Sequence, residues 1–314
     1  MKCLKKLFRL QTLINLSMTV VIIVCIYIIT THYYNNFENK QEAQNLASRV
    51  NELRQHAKPH TPVPSLEPSP SIEPTSKPAP GKPVFIAPGD PANANQYYLD
   101  MIDKMASNIE VRNVAPNDTK LYMLRYYELL HMENPDMIGW IRIPDTAIDY
   151  PVMQTNNNEF YLHRGFDKKR NHEHGSIFAD YRASILPPSD NIILYGHNMK
   201  DGSMFGELSN YRDEEFYKEH PIVLFDTLYD EQVYDIVSVF YSKAFKVTDE
   251  AFRYYEFMDA KNEKEFNRYI KNIKKLQRYE TGITPVYGDK LITLSTCDKY
   301  TEDGRFVVIA KLRK

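Results

Sequence analysis

Cysteine is scarce in this chain, three in 314 residues. That excludes a disulfide framework, and the odd count leaves at least one thiol unpaired unless it bonds to another molecule. An excess of one sign of charge is missing too. With 39 Lys plus Arg against 41 Asp plus Glu, the net charge of −2 offers no global attraction to polyanions, which removes nucleic-acid binding from the classes to consider. No internal repeat is visible. Nor is there a convincing set of metal ligands: His172 and His174 flank Glu173, but two histidines without further matched ligands do not make a metal site, so neither a metal nor another cofactor is expected. What is present, 43% hydrophobic, 25% charged and 12% aromatic residues, is ordinary globular composition and excludes collagen, a coiled coil and wholesale disorder.

The averages conceal three unlike parts. Residues 1–9 carry Lys2, Lys5, Lys6 and Arg9 and no acid, and from Leu10 to Ile29 there is no charged side chain. Twenty helical residues span about 30 Å, the thickness of a hydrocarbon core. No small-residue cleavage site follows at Ile28-Ile29-Thr30-Thr31-His32-Tyr33-Tyr34, so residues 10–30 read as an uncleaved signal anchor. The basic flank keeps residues 1–9 in the cytoplasm, and Tyr33 and Tyr34 suit the outer interface. Residues 31–58 are polar, with Phe37, Leu46, Val50 and Leu53 at the spacing of a short juxtamembrane helix. Between Pro59 and Pro91 lie 11 of the 19 prolines, which neither sustain a hydrogen-bond ladder nor bury a core. Residues 59–94 therefore read as a stalk that lifts a domain off the membrane, reaching on the order of 100 Å as polyproline II.

The domain, residues 95–314, opens with helical patterns at Tyr97–Val111 and Lys120–Met132. The apolar period then falls to two. Short strands are legible at 138–143, 148–152, 175–178, 191–195, 221–227, 232–241, 290–296 and 305–312, and eight of them suggest a barrel or sandwich. One long helix interrupts the series, from about Thr248 to Leu276, with Phe252, Tyr255, Phe257, Phe266, Ile270 and Ile273 on its apolar face.

Topology sorts the cysteines. Cys3 falls in the cytoplasmic tail and Cys25 in the membrane span, which leaves Cys297 as the thiol of the exported domain. Such a thiol is either a small buried hydrophobe or a reactive nucleophile. Its position favours the second. Leu291-Ile292-Thr293-Leu294-Ser295-Thr296-Cys297 alternates and ends at Cys297, Asp298–Gly304 is polar and turn-forming, and Arg305 starts the next strand. In a hairpin the last residue of one strand and the first of the next face each other, so Cys297 and Arg305 become neighbours. A cation beside a thiol favours the thiolate, and a guanidinium stabilises an oxyanion formed by attack on a carbonyl. An acid for the leaving amine is still needed. His197, at the strand-to-loop junction after Ile192-Ile193-Leu194-Tyr195-Gly196, is the best placed histidine. His131, His163 and His220 read as ordinary surface residues.

Leu294-Ser295-Thr296-Cys297 followed by Arg305, with Tyr195-Gly196-His197-Asn198-Met199 a hundred residues earlier, resembles the active-site set of a sortase. Asn134-Pro135-Asp136-Met137-Ile138-Gly139-Trp140-Ile141, Ile148-Asp149-Tyr150-Pro151-Val152-Met153-Gln154 and Gly202-Ser203-Met204-Phe205 resemble class B members in particular, as does a helix between the sixth and seventh strands. The likeness covers residues 97–314 and leaves the Pro-rich stretch unexplained. It implies a mainly β fold, an eight-stranded sortase-type β-barrel with N-terminal helices and a long helix before the Cys strand. It implies a membrane-anchored cysteine transpeptidase acting outside a Gram-positive-type cell, with Cys297 as nucleophile, His197 as general acid and base, and Arg305 holding substrate and oxyanion. The implied partners are surface proteins with a C-terminal sorting signal and a peptidoglycan amine. Asn158 and Ser295 are secondary candidates for lining the substrate groove, with turn and strand structure as the plainer reading; Asp298 reads as a turn residue. Two other functions stay open, a pilin-polymerising sortase using a lysine acceptor and a non-catalytic stalked binding module with Cys297 in its core.

Overall fold

Each alternating segment becomes a strand within two residues of its sequence pattern: β1 (Met137–Arg142), β2 (Asp149–Met153), β3 (Ile177–Ala179), β4 (Asn191–Tyr195), β5 (Ile222–Thr227), β6 (Val233–Lys243), β7 (Leu291–Cys297) and β8 (Gly304–Leu312). They close into a barrel in the order β1-β2-β3-β4-β7-β8-β6-β5, with β5 returning to β1. Two neighbours run parallel, β2 with β3 and β4 with β7. The computed structural model describes residues 2–56, 123–169, 172–246, 248–297 and 303–314. The Pro-rich stretch, the helical pattern at 97–111, the start of the pattern at 120–132 and Asp298 lie outside them.

Alternation sorts the side chains into two layers. Ile292 and Leu294 of β7 and Phe306, Val308 and Ala310 of β8 point inward, where they meet Ile141, Val152, Val223 and Phe225. Their alternates Leu291, Val307 and Ile309 point outward beneath a helix, α4 (Glu263–Leu276). That helix buries Phe266, Tyr269, Ile270 and Ile273, a stripe at i, i+3, i+4 and i+7 that lays one face on the barrel wall. A shorter helix, α3 (Glu214–Glu219), precedes β5.

The long helix expected from Thr248 is therefore shorter than its pattern. Only Glu263–Leu276 is α-helical, preceded by a 3-10 turn at Tyr254–Glu256. Asn262 starts α4 by accepting a hydrogen bond from the Glu265 amide at 3.1 Å, while the Glu265 carboxylate accepts from the Lys261 amide at 3.1 Å, a reciprocal cap that fixes the first turn. Upstream, Arg253 donates to the Lys246 carbonyl at 2.6 Å and the Asp249 carbonyl at 2.9 Å and gathers that segment into a loop.

At the other end of the chain, α1 (Lys2–His56) is one continuous helix of 55 residues, so the expected anchor and the expected juxtamembrane helix are a single rod. From Leu16 to Ile29 its large apolar side chains are exposed. Farther along, Leu46 and Val50 are buried against α2 (Arg125–Glu133) and the outer face of the barrel, in a cluster with Tyr127, Leu130, Met137 and Trp140. Arg54 ends the docked face with an ion pair to Asp226 of β5 at 2.8 Å. Residues 46–54, upstream of the Pro-rich stretch, thus pack against the barrel.

Candidate active site

β7 stops at Cys297, and β8 begins at Gly304 with Cys297 paired to Arg305, the register that the alternation of the two strands requires. β4 lies on the opposite side of β7, parallel to it, with Tyr195 beside Ser295. One step beyond the strand, the Gly196 amide donates to the Ser295 carbonyl at 3.2 Å and the Thr296 hydroxyl donates to the Gly196 carbonyl at 2.7 Å. Position 197 is thereby carried to the level of position 297. Asn198 extends the tie, its amide nitrogen donating to the Cys297 carbonyl at 2.8 Å and to Ser209 Oγ at 3.2 Å. Cys297 at the end of β7 and Arg305 at the start of β8 accordingly sit at one rim of the barrel, with His197 two residues past the end of β4. Glycine fits tightly at 196, where a Cβ would stand 2.4 Å from Ile177 Cδ1 and 2.8 Å from the Phe205 ring, so these buried side chains would have to shift.

Cys297 is a free, exposed thiol, while Ser295 and Thr296 before it are buried. It is not a core cysteine. The half-buried His197 ring donates from Nε2 to the Leu162 carbonyl at 2.8 Å; a carbonyl only accepts, so Nε2 holds the hydrogen and Nδ1 is the nitrogen left to exchange a proton. The half-buried Arg305 directs Nη1 to the Gly304 carbonyl at 2.9 Å and the Asp303 carbonyl at 3.3 Å, which anchors the guanidinium beside the Cys strand. These three groups can supply attack on a carbonyl, proton exchange with an amine and stabilisation of an oxyanion.

Around them lies a supporting shell that spacing alone does not reveal. Asp180, fully buried, accepts from Arg182 Nε and Nη2 at 2.8 Å each, from Tyr195 Oη at 3.0 Å and from Asn158 Nδ2 at 3.1 Å. Burial alone pushes this carboxyl up, but the Arg182 hydrogen bonds and charge, with the Tyr195 hydroxyl, more than offset it and hold the group below the usual carboxylate range. Asp180 thus fixes Tyr195, two residues before His197. On the far side of β7 the buried Tyr254 hydroxyl and Ser295 Oγ share a 2.6 Å hydrogen bond. Burial pushes that phenol up to about 12, against a smaller opposing pull from Ser295 and Arg305. The loop before α4 therefore approaches the Cys strand, whereas α4 packs on the outer wall.

Both secondary candidates are engaged inside the protein. Asn158 spends its amide on Asp180 and accepts from the Tyr181 amide at 2.9 Å; Ser295 faces Tyr254. The 172–174 histidines do not converge either: His172 bonds Glu42, His174 bonds Asn36, and Glu173 bonds His32, all on α1. Among the described residues no group of three or more His, Cys, Asp or Glu has the arrangement of a metal site. Asn198 was adjacent to the histidine in sequence, and Asp180 with Arg182 forms a visible i, i+2 charge pair. Tyr254 carries no such signal.

A sortase-domain family profile matches residues 141–313. The chain is 38% identical over 181 residues to sortase B of Listeria monocytogenes, covering 57% of this chain and 70% of that protein. It is 33% identical over 190 residues to sortase B of Staphylococcus aureus, covering 60% and 75%. The crystal structure of sortase B from Bacillus anthracis superposes with a TM-score of 0.55 at 33% identity, covering 69% of this chain and 98% of that one. A closed eight-stranded barrel of this order, a cysteine, histidine and arginine at one rim, and a profile match over most of the barrel have one common explanation: the chain belongs to the sortase family, among its class B members, and so to a family of transpeptidases.

Proposed function

We propose that the chain is a membrane-anchored cysteine transpeptidase that joins surface proteins to peptidoglycan. The observation that carries this reading is the register of β4, β7 and β8, in which residues 197, 297 and 305 converge although 100 residues separate the strands of the parallel pair. Cys297 Sγ, as thiolate, attacks the carbonyl carbon of a peptide bond within a sorting motif near the C-terminus of the substrate. Arg305 stabilises the resulting oxyanion. As the C–N bond breaks, imidazolium His197 gives its proton to the departing amine, and a thioacyl enzyme remains. An incoming peptidoglycan amine then attacks the thioester carbonyl, neutral His197 takes its proton, and the C–S bond breaks to return the thiolate. The basic residues 2, 5, 6 and 9 and the apolar run in α1 support an anchor with the barrel outside the cell. A mass-spectrometric screen of candidate C-terminal motif peptides tests the chemistry. A matching peptide leaves a thioester on Cys297, and Cys297→Ala leaves none while keeping its fold. Retention of activity by that variant ends the proposal.

A further inference from the structure

The contacts between α1 and the barrel form a ladder that starts close to the end of the apolar run. His32 Nδ1 meets Glu173 at 2.9 Å, Asn36 Oδ1 accepts from His174 Nε2 at 3.1 Å, Lys40 Nζ stands 3.7 Å from Asp201, and Glu42 meets His172 at 3.1 Å. The buried Leu46 and Val50 and the Arg54–Asp226 pair continue it. His32 lies three residues beyond Ile29, the end of the uncharged apolar run, which is about 5 Å along a helix. No break in α1 separates the two regions.

The other face of α1 gives an independent reading of depth. Tyr33, Tyr34 and Phe37 are 71%, 61% and 60% exposed and belong to none of the buried clusters. Tyrosines such as Tyr33 and Tyr34 mark the headgroup level of a bilayer. They occupy the same turns as His32 and Asn36, whose side chains hold Glu173 and His174. The loop that bears His197 is part of this rim: the Phe205 amide donates to the His197 carbonyl at 2.9 Å, Ser203 Oγ lies 3.5 Å from His174 Nδ1, and Asp201 faces Lys40. Lys40 is eleven residues past Ile29, about 16 Å along the helix.

We propose that the rim of the barrel formed by Glu173, His174 and the 197–204 loop rests on the lipid headgroup surface, held there by α1 as a rigid strut. The Pro-rich residues 59–94 are then not the support between barrel and membrane. This inference rests on the membrane-anchor reading above. It makes a bilayer the partner of that rim, and it restricts productive substrates to those whose reactive groups lie within a few nanometres of the same membrane.

The test uses the full chain in phosphatidylcholine and phosphatidylglycerol vesicles, with Cys3, Cys25 and Cys297 replaced by Ser, a donor fluorophore on Lys200→Cys and acceptor dye on the lipid headgroups. Flotation with the vesicles is read first. High transfer efficiency is expected, and it should stay unchanged when residues 59–94 are deleted or duplicated. Low transfer in the full chain, or transfer that rises on deletion and falls on duplication, overturns the strut and restores the stalk. A chain that does not float overturns the anchor reading together with the strut. Duplication needs no part of the folded domain to be removed, so a misfolded deletion variant does not protect the proposal.

Discussion

Replacing Arg54 with methionine removes the cation that holds the end of α1 to the barrel, and the cost can be worked out from the site. Arg54 Nη2 lies 2.8 Å from Asp226 Oδ2, with the side chains only 13% and 7% exposed, and Tyr127 Oη donates to the same oxygen at 2.7 Å. Burial already holds the Asp226 carboxyl above its ordinary value, with the Tyr127 hydrogen bond and the Arg54 charge pulling it back. Without Arg54 the carboxylate is left buried and short of its main partner, a defect that costs about 3–5 kcal/mol in comparable pairs. Protonation sets a ceiling. Neutralising a carboxyl of ordinary value 3.8 at neutral pH costs about 4 kcal/mol, so the expected loss at pH 7 is about 3–4 kcal/mol.

The sign follows from linkage. The variant's folded state binds the Asp226 proton more readily than its unfolded state, so the deficit narrows as pH falls from 7 towards 5, by up to about 1.4 kcal/mol per unit. Arg54→Met/Asp226→Asn, which leaves a neutral oxygen for Tyr127, should recover most of the loss. Urea unfolding of the detergent-solubilised chain, followed through the single Trp140 in the same buried cluster, measures all three. A loss below about 1 kcal/mol, the size of an exposed pair, or one that does not narrow in acid, refutes the docked position of α1.

Arg305→Lys keeps a positive charge but not the planar donor fork, and kcat/KM for a sorting-motif peptide should fall about 10²- to 10³-fold; full activity in this variant would mean that charge alone suffices. Asp180→Asn should destabilise the domain by about 2–4 kcal/mol at pH 7. Because the fold depresses the Asp180 carboxyl, its contribution is complete above the unfolded value of about 3.9 and is lost as pH falls through the lower folded value. The gap between the two proteins' urea midpoints should therefore close towards pH 3, and a constant gap would contradict the assignment.

The strands and the Cys297–Arg305 neighbourhood were legible because both are local: an alternation shows within six residues, and a hairpin register needs only its two strands. The parallel pairing of β4 with β7 was not legible from spacing, since nothing in the intervening residues encodes which strands meet, and the assignment of His197 leaned on the family resemblance. The start of α4 was legible in principle. Asn262 followed by Glu265 is a capping signal, but the aromatics upstream, Phe252, Tyr255 and Phe257, continued an apparent helical period through a loop. The docking of α1 was hidden for a different reason. Leu46 and Val50 mark an apolar stripe, and only the tertiary partner, α2 with the outer faces of β1 and β2, says what the stripe covers.

The pairing of β4 with β7 also couples the appearance of the reactive site to the order in which the chain folds. Cys297 and Arg305 meet through a short turn, at little entropic cost. His197 joins them only when a loop of 100 residues is closed, a step whose entropy must be met before any of its contacts form. A partly folded domain therefore holds the thiol and the guanidinium without the histidine proposed as their proton carrier. On the proposed mechanism, chemical competence arrives with the completed barrel and not before it, so the thiol of an unfinished chain is not acylated by whatever peptide it meets first.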